Sequence, residues 1–306
     1  MRALLIANPV ATTTTARTRD VLLHALAADL DLEVAETTHR GHALELAREA
    51  ATSGVELVIT LGGDGTVNEA VNGLLDRGPG PDRPALAVVP GGSTNVFSRA
   101  LGVGSDPVEA TGQILDALRE RRTRSIGLST ADGRWFTFCA GLGLDAEVVA
   151  AVERARSGGR RSTPALYLTS AVREFYAGDR DAPALRLTRP GEEPVEGLHL
   201  AIVQNTAPWT YLGGRAVNPS PQASFDTGLD LLALHGLGTA STLRHVRQLL
   251  LGRRPPHGRD VVALHDVPEL TLWADRPTSH QVDGDHLGDR MSVTFRAHPD
   301  ALRVVL

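Results

Sequence analysis

Short apolar runs alternate with segments of helical spacing through the first 124 residues. Ala3–Ala7, Leu32–Ala35, Val58–Leu61 and Ala85–Val89 are runs of strand length, rich in β-branched and aliphatic residues. Between them, Arg17–Leu30, Gly41–Ser53 and the segment after Gly65 repeat apolar residues three and four apart, as amphipathic helices do. Helical segments at Thr94–Leu101 and Pro107–Glu120 follow. This alternation predicts a mostly parallel sheet with helices on both faces. After Arg124 the pattern becomes Ser125–Thr130, Trp135–Ala140, Leu185–Thr188, Leu198–Gln204, Leu231–His235, Val261–Leu264, Glu269–Trp273, Ser292–Arg296 and Leu302–Leu306, all of strand type. Helices interrupt it only near 145–156, 165–177 and 239–250. The expectation is two domains, a doubly wound α/β domain over 1–124 and a mostly antiparallel β-sandwich domain over 125–306. The cleft between them is the expected place for a site.

The stretch Leu57–Leu75 holds the first candidate chemistry. A buried strand meets Gly62-Gly63-Asp64-Gly65, and a helix follows, with Thr66 as its cap and Glu69 in capping-box spacing. Glycines let backbone approach a bulky anion, and a helix start supplies unpaired N–H groups and the positive end of a dipole. Asp64 cannot hold a phosphate directly and makes sense beside a metal ion or its waters. Asn8, Thr38, Asp64 and Ser93 each follow a strand, so a parallel sheet would bring all four loops to one edge. Pro90-Gly91-Gly92-Ser93 would be a second phosphate-facing loop.

Composition narrows the chemistry. None of the 31 basic residues is a lysine, which excludes a Walker-A loop, a protein-kinase strand lysine and Schiff-base catalysis. Any triphosphate charge must then be met by arginine, backbone N–H groups and magnesium. A net charge of −5 argues against general nucleic-acid binding. The one cysteine, Cys139, excludes a disulfide framework and reads as core. No apolar run is long enough to span a bilayer, and the start MRALLIANP is too soon interrupted for a secretory signal. The expectation is a cytoplasmic protein, peripherally associated with the membrane.

GGDGTVNEAVNG resembles the signature of the diacylglycerol kinase catalytic-domain family, which includes sphingosine, ceramide and bacterial lipid kinases. Further pieces match in order: Asn8-Pro9, Thr38 with Gly41-His42-Ala43, Pro90–Asn95, Ala140–Gly143 with Asp145, Asp226–Asp230 and Asp283-Gly284-Asp285. The resemblance implies ATP and Mg2+ as co-substrates and transfer of the γ-phosphoryl to a lipid hydroxyl, that of diacylglycerol first. It implies Asn8, Thr38, Gly62, Gly63, Asp64, Gly65, Thr66, Asn68, Glu69, Gly92 and Ser93 at the nucleotide, with Asp64 also catalytic. It implies Asp285 as the base that takes the hydroxyl proton, and Asp226 at magnesium.

The chain departs from the family pattern at three places. Val96 stands where an Asp is frequent, Thr227 stands where the loop's Asp precedes Gly228, and Asp285 replaces a Glu. Arg154, Arg156, Arg160 and Arg161 read as a solvated loop or as a patch for anionic lipid. The expected partner is a membrane lipid at the bilayer surface, and a homodimer stays open. Three other readings stay open beside the diacylglycerol kinase: a kinase for a sphingoid or other lipid alcohol, an NAD or sugar-phosphate kinase, and a non-catalytic nucleotide- or lipid-binding module.

Overall fold

The computed structural model describes residues 1–11, 15–157, 164–177, 184–251 and 255–306. The chain divides into two compact units, Met1–Leu128 with Pro299–Leu306, and Ser129–His298. The sequence reading assigned everything after 124 to the second domain. The last eight residues belong instead to the first.

The first unit runs β1 (Arg2–Ala7), α1 (Ala16–Asp29), β2 (Asp31–Glu36), α2 (His42–Ala50), β3 (Leu57–Gly62), α3 (Asp64–Leu74), β4 (Ala85–Pro90), α4 (Val96–Ala100) and α5 (Pro107–Arg119), then enters β5 (Thr123–Ala131). Strands β2, β1, β3 and β4 lie side by side in that order, all parallel. Both faces of β3 and β4 are buried, which is why these strands read as unbroken apolar runs. Strand β2 is largely exposed, as the edge of a sheet is. The other edge is closed by the end of the chain, where Val304 pairs in parallel with Leu86. Leu5, Ile59, Leu61 and Val89 of the sheet pack with Leu22 and Leu26 of α1, Ile114 of α5 and Val305. Burying such side chains contributes about 1.5–3 kcal/mol each, before chain entropy is charged against it.

The second unit continues with β6 (Arg134–Phe136), β7 (Cys139–Gly143), α6 (Leu144–Ser157), α7 (Pro164–Ala177), β8 (Leu185–Thr188), β9 (Val195–Leu198), β10 (Leu200–Gln204), β11 (Thr210–Leu212), β12 (Arg215–Val217) and β13 (Leu229–Leu234). It is completed by α8 (Thr239–Leu251), β14 (Val261–Val267), β15 (Glu269–Val282) and β16 (Asp285–Val305). Strands β14, β13, β10, β7 and β15 are neighbours in that order, every pair antiparallel. Strand β15 also pairs antiparallel with β16 and β8. Phe136, Leu142, Leu187, Leu231, Leu270 and Phe295 lie in one core, with Phe136 and Phe295 edge to face at 6.3 Å.

Three differences from the sequence reading have local causes. The run Trp135–Ala140 splits into β6 and β7 because the amides of Thr137 and Phe138 turn to the Asp283 carboxylate. Strands expected separately at Ser292–Arg296 and Leu302–Leu306 form one strand of 21 residues, β16, which continues through Pro299. The hairpin of β11 and β12 was not anticipated, since three-residue strands carry no readable period.

Candidate active site

Because β1, β2, β3 and β4 are parallel and in register, their carboxyl ends share one edge. Ala7 stands beside Glu36 and Leu61, and Gly62 beside Pro90. Asn8, Thr38, the Gly62–Gly65 turn and the Pro90–Ser93 loop therefore emerge together, as expected. Thr38, Gly65 and Ser93 are exposed there, while Asn8, Gly63, Asp64 and Gly92 are half-buried.

The two glycine loops touch each other. The Gly91 amide donates to the Gly62 carbonyl at 2.7 Å. A Cβ on Gly92 would lie 2.7 Å from the Gly63 Cα, and one on Gly91 would lie 3.0 Å from the Gly62 Cα and N. The loops can approach this closely only without side chains. The second loop is braced by Asn95, which sits at φ 50 and is buried. Its Oδ1 accepts from the Gly92 amide at 2.8 Å and its Nδ2 donates to the Gly92 carbonyl at 2.7 Å.

Asp64 joins the loops as well. One carboxylate oxygen accepts from the Val96 amide and the other from the Phe97 amide, both at 3.0 Å. It thus caps the short helix α4 from another part of the chain. Val96, at a position where the family pattern often has Asp, is buried and offers only its backbone here.

Helix α3 starts at Asp64 with Gly63 as its cap residue and no side-chain capping bond. The expected capping box is absent. The Thr66 hydroxyl lies over Gly62, where a Cβ would come within 2.6 Å of it, and accepts from the Asn8 amide group at 3.3 Å. Glu69 instead accepts from the backbone amides of Gly41 and Ala43, at 2.8 and 3.2 Å, and so fixes the start of α2. Helix α2 begins with Gly41 at φ 92. The Gly65 and Thr66 amides, in the first turn of α3, have no partner within the helix by its geometry and are suited to an anion. Asn68 is buried, and its Oδ1 accepts from Asn72, so it braces α3 and does not reach the loop surface. Thr38 shares its hydroxyl with His39 and His42, whose rings stack at 4.8 Å.

In the second unit, Asp283 and Gly284 are the two loop residues of the β15–β16 hairpin, at φ 49 and φ 82, with Val282 opposite Asp285. Those angles are the φ > 0 pair of the tight hairpin turn that Asp-Gly favours. The Asp283 carboxylate is fully committed. It accepts from the Thr137 amide and hydroxyl and from the Phe138 and Cys139 amides, at 2.7–3.1 Å. Asp285, first in β16, is half-buried. The Gly284 amide donates to Gln281 Oε1 at 3.0 Å, and Gln281 Nε2 donates to Asp145 at 2.8 Å. Burial pushes the Asp145 carboxyl up to about 6 despite that bond. Asp145 and Gln281 brace the Asp283-Gly284 turn, a role that the sequence reading did not give them. Their contact joins positions 136 apart, which no periodicity reveals.

Asp226 is exposed, on the turn Ser224–Thr227. The buried carboxylate of that loop is Asp230, which accepts from His265 at 2.8 Å and from the Asp266 amide at 3.1 Å. Burial pushes its pKa up. Among the described residues no three His, Cys, Asp or Glu side chains converge as a metal group would require. Of the arginine cluster, exposed Arg154 faces Glu174 at 4.0 Å, while the Arg156 side chain, Arg160 and Arg161 lie outside the described residues. A cavity of about 130 Å³ in this unit is lined in part by Glu147, Glu174, Asp289, His199 and Arg276.

Comparison with known proteins bears on this geometry. Residues 2–129 match the model of the diacylglycerol kinase catalytic domain. A probable lipid kinase YegS-like from Chromohalobacter salexigens is 31% identical over 261 residues, 83% of this chain and 77% of that protein. The chain belongs to the diacylglycerol kinase catalytic-domain family. The Bacillus subtilis diacylglycerol kinase is 42% identical to this family member over 107 residues, covering 35% of this chain and 33% of the Bacillus protein. Among solved structures, a diacylglycerol kinase from Bacillus anthracis superposes with a TM-score of 0.72 at 22% identity, over 99% of this chain and 96% of that one. An NAD kinase from Archaeoglobus fulgidus in complex with ATP gives 0.52 at 11% identity, over 100% and 94%. At those identities the structures establish the shared fold alone.

Proposed function

We propose that the protein is an ATP- and Mg2+-dependent lipid kinase whose first acceptor is diacylglycerol. One observation carries the reading: two glycine loops in contact at the edge where four parallel strands end, beside the uncapped start of α3. Phosphoryl transfer is chiefly positioning and charge stabilisation. The amides of Gly65 and Thr66, the Ser93 loop, Asn8 and Thr38 would receive the triphosphate. With no lysine in the chain, neutralisation falls to amides, arginine and magnesium. Magnesium would supply charge for the phosphates, arriving with the nucleotide and keeping most of its waters. Asp64 holds the two loops in register through the Val96 and Phe97 amides.

Asp285 would accept the proton of the lipid hydroxyl as its oxygen bonds to the γ-phosphorus. The bond from that phosphorus to the bridging oxygen breaks, and ADP leaves. Asp283, Gln281 and Asp145 act through Asp285 by fixing its turn. The test is incubation with γ-labelled ATP and a total lipid extract in detergent micelles, followed by identification of the labelled lipid. Asp285→Asn lowers turnover at least 100-fold, the lower end of what a positioned acid or base contributes, while ATP affinity changes little. Equal turnover in variant and parent removes Asp285 from the role. Tight ATP binding without transfer to any lipid favours a non-catalytic module, and labelling of NAD favours an NAD kinase.

A second acceptor class is favoured by the cavity in the second unit. Three carboxylates and one guanidinium line it, and burial followed by the nearby Glu174 charge raises the Glu147 pKa. Such a lining suits a lipid alcohol that carries an amine, so sphingoid bases belong in the same assay.

A further inference from the structure

Helix α8 is inside out. On a helix, residues three, four, seven and eight apart share a face. From Leu243 that face holds Val246, Arg247, Leu250 and Leu251. Three of its apolar residues point outward, Leu243 at 64% exposed, Val246 at 41% and Leu251 at 66%, while Leu250 is half-buried. The opposite face is mostly polar and turned inward, with Leu249 its apolar exception. His245 is buried, the Ser241 hydroxyl donates to Asp260, and Gln248 meets His257. A helix that hides its polar face and shows its leucines to water is costly for a free protein, at about 25 cal/mol per Å² of apolar surface left uncovered.

The charge around this stripe identifies what covers it. Among the described residues of 239–260 stand three exposed arginines, Arg244, Arg247 and Arg259, and one carboxylate, Asp260, which pairs with Arg244 at 3.0 Å, in a chain whose net charge is −5. Exposed Arg247 lies within the apolar stripe itself. A second copy packed on the same face would set like charges against each other. An anionic bilayer complements both properties, taking leucines at the acyl boundary and arginines at the headgroups. We propose that α8 is a membrane-docking face that lays Leu243, Val246, Leu250 and Leu251 into an anionic phospholipid surface, with Arg247 at the headgroups. The proposal draws on the lipid-kinase reading only for the location of the substrate. The docking itself needs no nucleotide.

The test is co-sedimentation of the full chain, without ATP, on vesicles of phosphatidylcholine alone or mixed with phosphatidylglycerol. The parent binds the mixed vesicles and releases at high salt. Leu243→Ser with Leu251→Ser weakens that binding at least about tenfold, as loss of a buried leucine would. Arg247→Ala weakens it about fivefold, the equivalent of one arginine at a charged surface. Both variants keep the parent's phosphorylation of lipid presented in detergent micelles, so a failure of docking and a failure of the kinase reading are told apart. Binding of the double-serine variant equal to the parent's, or no binding by the parent, overturns the proposal. So does a dimer in sedimentation velocity that the double-serine variant abolishes, which would assign the face to a second copy.

Discussion

Two glycines of the candidate site make opposite predictions. Gly65 is exposed in the first turn of α3, and a Cβ there would meet nothing within 4 Å. Gly65→Ala removes backbone freedom from the unfolded chain without a clash, so folding gains about 0.4–1 kcal/mol, or about 0.6–1.6 °C in Tm. If the amides of that turn hold a phosphate, the new methyl stands where the anion must come and ATP affinity falls at least tenfold. At Gly92, the Cβ would lie 2.7 Å from the Gly63 Cα, against 3.4 Å for an ordinary contact. The loops must part by about 0.7 Å, which loosens the Gly91–Gly62 hydrogen bond. Overpacking of that kind costs about 1–3 kcal/mol, and a displacement near 1 Å is worth up to 100-fold in rate. Gly92→Ala therefore lowers both Tm and turnover. Thermal unfolding with ATP titration by calorimetry separates the cases. A stabilised Gly65→Ala that binds ATP as the parent does would refute the phosphate role of the turn and leave it purely structural.

Two further outcomes follow from buried carboxylates. Asp283→Ala leaves three amides and one hydroxyl buried without an acceptor, a loss of about 4 kcal/mol or more in urea unfolding; a change under about 1 kcal/mol would mean that water replaces the carboxylate. The Asp145 carboxyl is raised from 3.8 to about 6 in the folded state, so its contribution to stability is complete below pH 4 and is lost as pH rises through 6. Asp145→Asn keeps the bond from Gln281 and removes that loss, so the variant matches the parent near pH 4 and exceeds it by about 3 kcal/mol above pH 6. Parallel stability profiles for the two proteins across that range would show that Asp145 stays ionised at no cost.

What the sequence determined by itself was everything local in period. The unbroken apolar runs of β3 and β4 implied a sheet buried on both faces, and their parallel order placed Asn8, Thr38, Asp64 and Ser93 on one edge. Glycine at 62, 63, 91 and 92 announced a close approach, though not that the loops approach each other. Tertiary structure alone decided the partners of the polar side chains. Thr66 and Glu69 have capping-box spacing, yet each spends its oxygens on a distant segment, because a long-range amide or glycine happened to lie nearer than the helix's own start. Asp64 and Asp283 look alike in a motif and differ in what their oxygens already hold. The same limit hid the outward turn of α8. Periodicity reports that a helix has an apolar side, and only packing reports whether that side faces the core or the water, since the two choices share one sequence pattern.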